Sequence, residues 1–317
     1  MTNTLRPLGD LRVSPLCLGG NVFGWTADES ETFAVLDAFA DAGGNFLDTA
    51  DAYSAWHEGN TGGESEMLIG RWLARRGRRD DIIVATKVGS HPDLRGLAAS
   101  TIKRGAEESL RRLGTDHIDL YYTHFDDETV EVSEIMTALD ELVREGKVRA
   151  LGASNISPAR LEASLAFAAR EGTTPYVALQ PRYNLVSRES YEGELAATAA
   201  HHGLGTLPYS GLAAGFLTGK YRADTTVDSP RAAGASKHLT TERGRRVLAA
   251  LESVADAHAT TMATVALAWL AAQPTVTAPI ASARTTTQLP ALLAATTLTL
   301  PPTDLTTLTK ASTPPAL

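Results

Sequence analysis

Residues 118–154 read IDLYYTHFDDETVEVSEIMTALDELVREGKVRALGAS. An apolar run, IDLYYTH, is followed by VSEIMTALDELVREGK (132–147), whose apolar residues recur three and four apart, and then by a second apolar run, VRALGAS (148–154). That spacing puts one face of a helix against a core, and short apolar runs of this length fit buried strands. Gly146 stands where the helix would end through a left-handed residue, a conformation that glycine adopts without strain. The stretch is therefore predicted as strand, helix, strand.

The same unit recurs along the chain. Further apolar runs lie at PLCL (15–18), NFLD (45–48), DIIVATK (81–87), YVALQ (176–180), GTLPYS (205–210) and VTAPIAS (276–282), which makes eight candidate strands. ETFAVLDAFADAG (31–43) has helical spacing and ends on Gly43, while Ser157 and Pro158 supply a cap and a first-turn proline for another helix. Eight strands alternating with helices predict an α/β fold, a closed parallel (β/α)8 TIM barrel formed as a single domain over residues 1–317. LRPLGDLRV (5–13) reads as a β-hairpin at the barrel bottom. A long loop, 211–240, follows strand seven, and long loops in compact domains are usually functional. Two helices, 241–259 and 261–273, are expected before strand eight, and a last helix with a frayed end in the Thr- and Pro-rich tail.

Composition narrows the function. With 43% hydrophobic and 21% charged residues the chain carries no disorder signature. A net charge of −8 argues against nucleic acid as a partner, and RRGRR (75–79) reads as a solvated helix end. The single Cys17 lies in an apolar run and reads as a buried, inert thiol suited to a reducing compartment. The start resembles no signal segment and no run approaches the ~18 apolar residues that span a bilayer, so a cytoplasmic protein without a membrane partner is expected. His57, His201 and His202 lack metal-ligand spacing, and no metal is expected.

In such a barrel the chemistry gathers where the strands end at the C-terminal mouth. Strand two ends in Asp48 with Tyr53 just beyond, strand three in Lys87, strand four in His124, strand five in Ser154 and Asn155, strand six in Gln180, and strand seven in Tyr209 and Ser210. An ammonium beside a phenol favours its ionised form, and an imidazole can polarise a carbonyl, so this set could protonate an alkoxide. Asp51 is read as a turn residue or exposed carboxylate, and Asp126 and Asp127 as solvated loop carboxylates.

FLDTADAYS (46–54), IIVATKVG (82–89), SLRRLGTDHIDLYYTH (109–124), EGKVRALGASN (145–155) and PYSGLAAGFLTGKY (208–221) together resemble the aldo-keto reductase family over nearly the whole chain. The resemblance implies an NADPH-dependent reductase of a small-molecule aldehyde or ketone. Its catalytic set falls on Asp48, Tyr53, Lys87 and His124: Tyr53 would donate the proton, Lys87 lower its pKa, Asp48 hold the ammonium, and His124 orient the carbonyl. Ser154, Asn155 and Gln180 match residues that grip the nicotinamide carboxamide, Tyr209 the aromatic that stacks on its ring, and Gly20 and Asn21 residues beside it. Ser210, Gly211, Leu212 and Lys220 match the pyrophosphate region, and Ser282, Arg284 and Gln288 the adenosine phosphate and adenine region, which Arg231 is expected to reach. Trp25, Trp56 and Phe125 could line an apolar substrate pocket.

Three positions depart from the family pattern: Ala291 and Leu292 replace a usual Glu and Asn, Gly211 a usual Pro, and Ser282 a usual Gly. The first suggests weaker adenine contacts, the second a looser loop. The competing expectation is a nicotinamide-nucleotide-binding regulatory subunit resembling potassium-channel β subunits, against which His124 argues. No GxGxxG motif follows a strand, so a Rossmann fold is not indicated.

Overall fold

The structure, a computed structural model, describes residues 4–222 and 227–314. The strands of its main sheet are β1 (Cys17–Gly19), β2 (Phe46–Asp48), β3 (Ile83–Val88), β4 (Ile118–Thr123), β5 (Val148–Ser154), β6 (Tyr176–Gln180), β7 (Gly205–Thr206) and β8 (Ile280–Ala281). From β1 to β7 each pairs in parallel with the next, and β8 pairs in parallel with β1. The circle closes between β7 and β8, where Thr206 donates to Thr275 O at 2.8 Å and accepts from Thr277 N–H at 2.9 Å, and Ile280 N–H reaches Pro208 O at 2.9 Å. The fold is the expected (β/α)8 barrel.

Helices α1 (Glu29–Asp41), α2 (Glu64–Arg76), α3 (Ala99–Leu113), α4 (Val132–Arg144), α5 (Pro158–Glu171) and α6 (Glu194–His201) connect the first seven strands, and α7 (Glu242–Ala257) and α8 (Met262–Ala271) precede β8. Their boundaries have local causes. Gly43 and Gly146 take φ of +83° and +75°, and Ser157 accepts the N–H of Arg160 to start α5. In α4 the predicted stripe, Ile135, Met136, Leu139 and Leu142, is buried against the sheet.

Apolar side chains fill two layers. The interior holds Cys17, Phe46, Ile83, Leu120 and Leu207, and its lower end is plugged by Leu8, Leu11 and Val13 from an antiparallel hairpin, Arg6–Leu8 with Leu11–Val13. Arg6 fixes that plug by donating to Thr277 O at 2.9 Å. The second, larger layer lies between strands and helices. Full burial of Cys17 pushes its thiol pKa well up, as an inert thiol requires.

Several elements differ from the sequence reading. β7 and β8 keep only two ladder residues each, because Pro208 and Pro279 have no N–H to continue a ladder. A short antiparallel pair, Ser90–His91 with Leu94–Arg95, follows β3. In RRGRR, Arg78 is solvated but Arg79 turns inward to Asp119 at 2.6 Å. The stretch after β7 forms 3-10 turns, Ala213–Thr218 and Lys237–Thr240, around a five-residue helix, Ala232–Ser236. The last helix is Pro302–Ala311, and the expected frayed end falls on residues 315–317, outside those described. Among the described residues no helix is long and apolar enough to cross a membrane.

Candidate active site

Asp48 ends β2 at 2% exposure and Lys87, in β3, is wholly buried. The ammonium has three protons and all are used: Thr49 O at 2.7 Å, Asp48 Oδ2 at 2.8 Å and Tyr53 Oη at 2.9 Å. Tyr53 in turn donates to Asp48 Oδ2 at 3.1 Å, and Gln180 Nε2 donates to Asp48 Oδ1 at 2.8 Å. Three residues, from two strands and one turn, thus converge on the Asp48 carboxylate.

Burial, and after it the Asp48 carboxylate, hold the Tyr53 pKa well above the ordinary phenol value. The net shift is upward, against the fall that Lys87 alone would give: burial, and then the carboxylate that holds the ammonium, oppose a negative charge on the phenol. The phenol is therefore a protonated donor at neutral pH. His124, just beyond β4, has its ring 6.0 Å from that of Tyr53 and stacks on Phe125 at 5.1 Å. Burial and then Lys87 push its pKa down to about 3, so the imidazole is neutral, and its buried Nδ1 has no partner among the described residues.

The ends of β5 and β6 form a second network. Ser154 Oγ donates to Gln180 O at 2.8 Å, and Asn155 Nδ2 donates to Ser154 Oγ at 3.0 Å and to His124 O at 2.9 Å. Asn155 Oδ1 accepts from Tyr209 Oη at 2.8 Å, fixing that ring at the mouth. Asn155 and Ser210 hold positive φ, +48° and +57°, which non-glycine residues adopt only when their surroundings enforce it.

A cavity of about 830 Å³ opens beside these groups. Its lining includes Asp48, Tyr53, Trp25 and Trp56, with Arg231 against Trp25; Asn21, Tyr209, Ser210, Gly211, Leu212 and Lys220; and Ser282, Arg284 and Gln288. Trp25 meets Trp56 edge-on at 5.6 Å, and the Arg231 guanidinium lies 5.2 Å over the Trp25 ring. Ser282 Oγ donates to Asn21 Oδ1 at 2.7 Å, and Gln288 Oε1 accepts the Arg284 N–H at 2.9 Å. Lys87, His124, Phe125, Ser154, Asn155 and Gln180 stand behind or beside this lining and do not form part of it.

Four readings need correction. Gly20 faces away from the cavity: a Cβ there would meet Ser65 Oγ at 2.7 Å and Asp48 O at 3.1 Å, so its smallness serves packing, and Gly19 lines the cavity instead. Gly211 has a packing use that its reading as a loop loosener omits: it is buried, and a Cβ there would meet the Leu267 side chain at 3.0 Å. Asp126 is gripped by Arg160 in a two-pronged pair at 2.8 and 3.0 Å. Asp51 is only 1% exposed, and burial, then the neighbouring Glu66 charge, lifts its pKa to about 7. The lining residues Ala214, Thr261 and Ala263 are of types that carry no chemical signal, and only the fold brings them here.

Comparison with known proteins agrees with this architecture. The chain matches the Aldo/keto reductase family over residues 15–313. It is 38% identical to "Uncharacterized oxidoreductase YrpG" of Bacillus subtilis, over 85% of this chain and 83% of that protein. It is 34% identical to norsolorinic acid reductase B of Aspergillus parasiticus, over 87% of this chain and 75% of that protein. A "Probable voltage-gated potassium channel subunit beta" of Oryza sativa is also 34% identical, over 85% of this chain and 83% of its own. A barrel whose match runs through all eight strands, with oxidoreductases among its relatives, makes this chain a member of the aldo/keto reductase family.

Proposed function

We propose that this protein reduces the carbonyl of a small aldehyde or ketone with NADPH, Tyr53 giving the proton. The observation that carries the reading is the buried Asp48–Lys87–Tyr53 network at the cavity wall. Buried ion pairs add little net stability. This one has a chemical use: when Tyr53 Oη releases its proton to the carbonyl oxygen, the phenolate left behind already has an ammonium at 2.9 Å. Neutral His124 can then donate to the same carbonyl oxygen and fix its direction, without titrating at working pH. Asn155 holds Tyr209 as a flat wall for the nicotinamide ring, and Ser154, Asn155 and Gln180 flank its carboxamide. A bound nicotinamide dinucleotide supplies the hydride that attacks the carbonyl carbon.

The donor set also fits a phosphorylated dinucleotide. Arg231 and Arg284 both line the cavity, no carboxylate pairs with either among the described residues, and burial and then Arg284 lower the Arg231 pKa. Two like charges left facing one cavity favour an anion between them, which supports NADPH over NADH. Ser210, Leu212 and Lys220 line the same cavity and would follow the pyrophosphate. Trp25 and Trp56, with Phe125 against His124, favour an apolar substrate.

The test follows NADPH absorbance with a panel of aldehydes and ketones, for wild type and Tyr53→Phe. Turnover by wild type and its loss in Tyr53→Phe are expected. Binding of NADPH with no turnover across the panel would instead favour a regulatory nucleotide-binding subunit, in line with the name of the Oryza relative.

A further inference from the structure

The turn that carries Tyr53 holds a second carboxylate, Asp51, which has no part in the chemistry above. Its main-chain N–H donates to Lys87 O at 3.1 Å, and its carboxylate Oδ2 accepts the N–H of Gly89, also at 3.1 Å. One residue therefore grips β3 on both sides of Val88. Two further bonds extend the same seam: Thr49 N–H to Ala85 O at 2.8 Å, and the Lys87 ammonium to Thr49 O at 2.7 Å. The other carboxylate oxygen, Oδ1, is buried without a partner, an arrangement that costs stability and that a small apolar residue in the turn would avoid.

The surroundings make the grip stiff. Glu66 of α2 is fully buried, accepts from Thr86 of β3 at 2.5 Å and pairs with Arg112 of α3 at 2.6 Å. Asp51 thus stands between the Tyr53 turn and a buried carboxylate–guanidinium pair that braces β3 from behind, with Tyr121 of β4 and His91 also close to it. Resting on the reading of Tyr53 as proton donor, we propose that Asp51 is a positioning residue: it locks the Tyr53 turn to β3 and so sets the separation of phenol and ammonium at which the proton is released. That separation is 2.9 Å, and both partners depend on the backbone that Asp51 ties together.

The experiment compares wild type, Asp51→Ala, Asp51→Asn and Tyr53→Phe as full chains, with NADPH and benzaldehyde or another aldehyde that wild type reduces. The readings are kcat, the KM for NADPH and the solvent isotope effect on kcat in deuterium oxide. Loss of register by an ångström or less costs about 10- to 100-fold in rate. Asp51→Ala is expected to lose that much kcat with an unchanged KM for NADPH and a larger solvent isotope effect, because proton release becomes slower relative to the other steps. Asp51→Asn, whose amide oxygen can still accept from Gly89, is expected to return kcat to within a few fold of wild type. A wild-type kcat and isotope effect in Asp51→Ala would overturn the proposal, as would a loss shared equally by Asp51→Asn with no change in isotope effect, the pattern of a purely structural role. If Asp51→Ala does not fold, Asp51→Ser is read by the same criteria. Activity retained in Tyr53→Phe sinks the parent reading, and the proposal with it; an inert Tyr53→Phe beside an unimpaired Asp51→Ala sinks the proposal alone.

Discussion

Replacing Asp51 by asparagine should change how stability depends on pH, and the size of the change follows from burial. The carboxyl moves from 3.8 to about 7 on folding, so the folded chain holds its proton more tightly than the unfolded chain does. A group shifted upward contributes stability that is fully present below about pH 4 and is lost as pH rises through about 7. At about 1.4 kcal/mol per pH unit, the loss across that window is about 4 kcal/mol. Asparagine does not titrate, so the stability of wild type relative to Asp51→Asn should fall by this amount between pH 4 and pH 8. Urea unfolding of both chains at unit steps of pH measures it. With a slope of about 3 kcal/mol per molar urea, the gap between the two midpoints should change by a little over ~1 M. Midpoints that run parallel across the whole range would mean that the carboxyl titrates normally in the folded chain, and the account of its burial beside Glu66 would be wrong.

Three further outcomes are expected. His124, pushed down to about 3, contributes stability that is present above pH 6.5 and lost as pH falls, opposite in sign to Asp51; its imidazole should show no protonation between pH 8 and pH 5 when followed by NMR. Lys87→Met leaves Asp48 buried without its cation and should cost about 3–5 kcal/mol, read from the urea midpoint alongside lost activity. Arg284→Ala should weaken NADPH binding by about 10- to 100-fold, the worth of charge-assisted hydrogen bonds at ~1.5–3 kcal/mol, while leaving NADH unchanged; calorimetry that finds both nucleotides weakened equally would remove its phosphate role.

The barrel was legible because its signals are local. Apolar runs, helical spacing and left-handed glycines such as Gly146 each depend on a few neighbours in the chain, and the strand ends then place Asp48, Lys87 and His124 on one rim. What was not legible depends on residues distant in sequence. Asp51 reads as a turn carboxylate because the groups that enclose it, Glu66 and Arg112, arrive on α2 and α3. The phenol's direction of shift depends likewise on distant residues: one lysine beside one tyrosine predicts a fall, and burial, then the shared carboxylate, reverse it. Gly20 and Gly19 are indistinguishable as letters, and the pleat decides which one faces the cavity. Positive φ at Ser210, Ala213 and Ala214 has no compositional signature either, since none is the glycine such backbone usually calls for.

The barrel's closing seam is also its thinnest. β7 and β8 contribute two residues each, and past their ends the chain turns directly into Tyr209 and Ser210 on one lip and Ser282 and Arg284 on the other. A nucleotide lying along the cavity as proposed would bridge both lips and so tighten a seam that the bonds of Thr206 and Ile280 already close. At a ligand concentration of a hundred times Kd such a bridge adds about 2.7 kcal/mol, concentrated where the ladder is shortest. If NADPH binds as proposed, the amides of Thr206, Thr277 and Ile280 should then exchange with solvent more slowly in its presence.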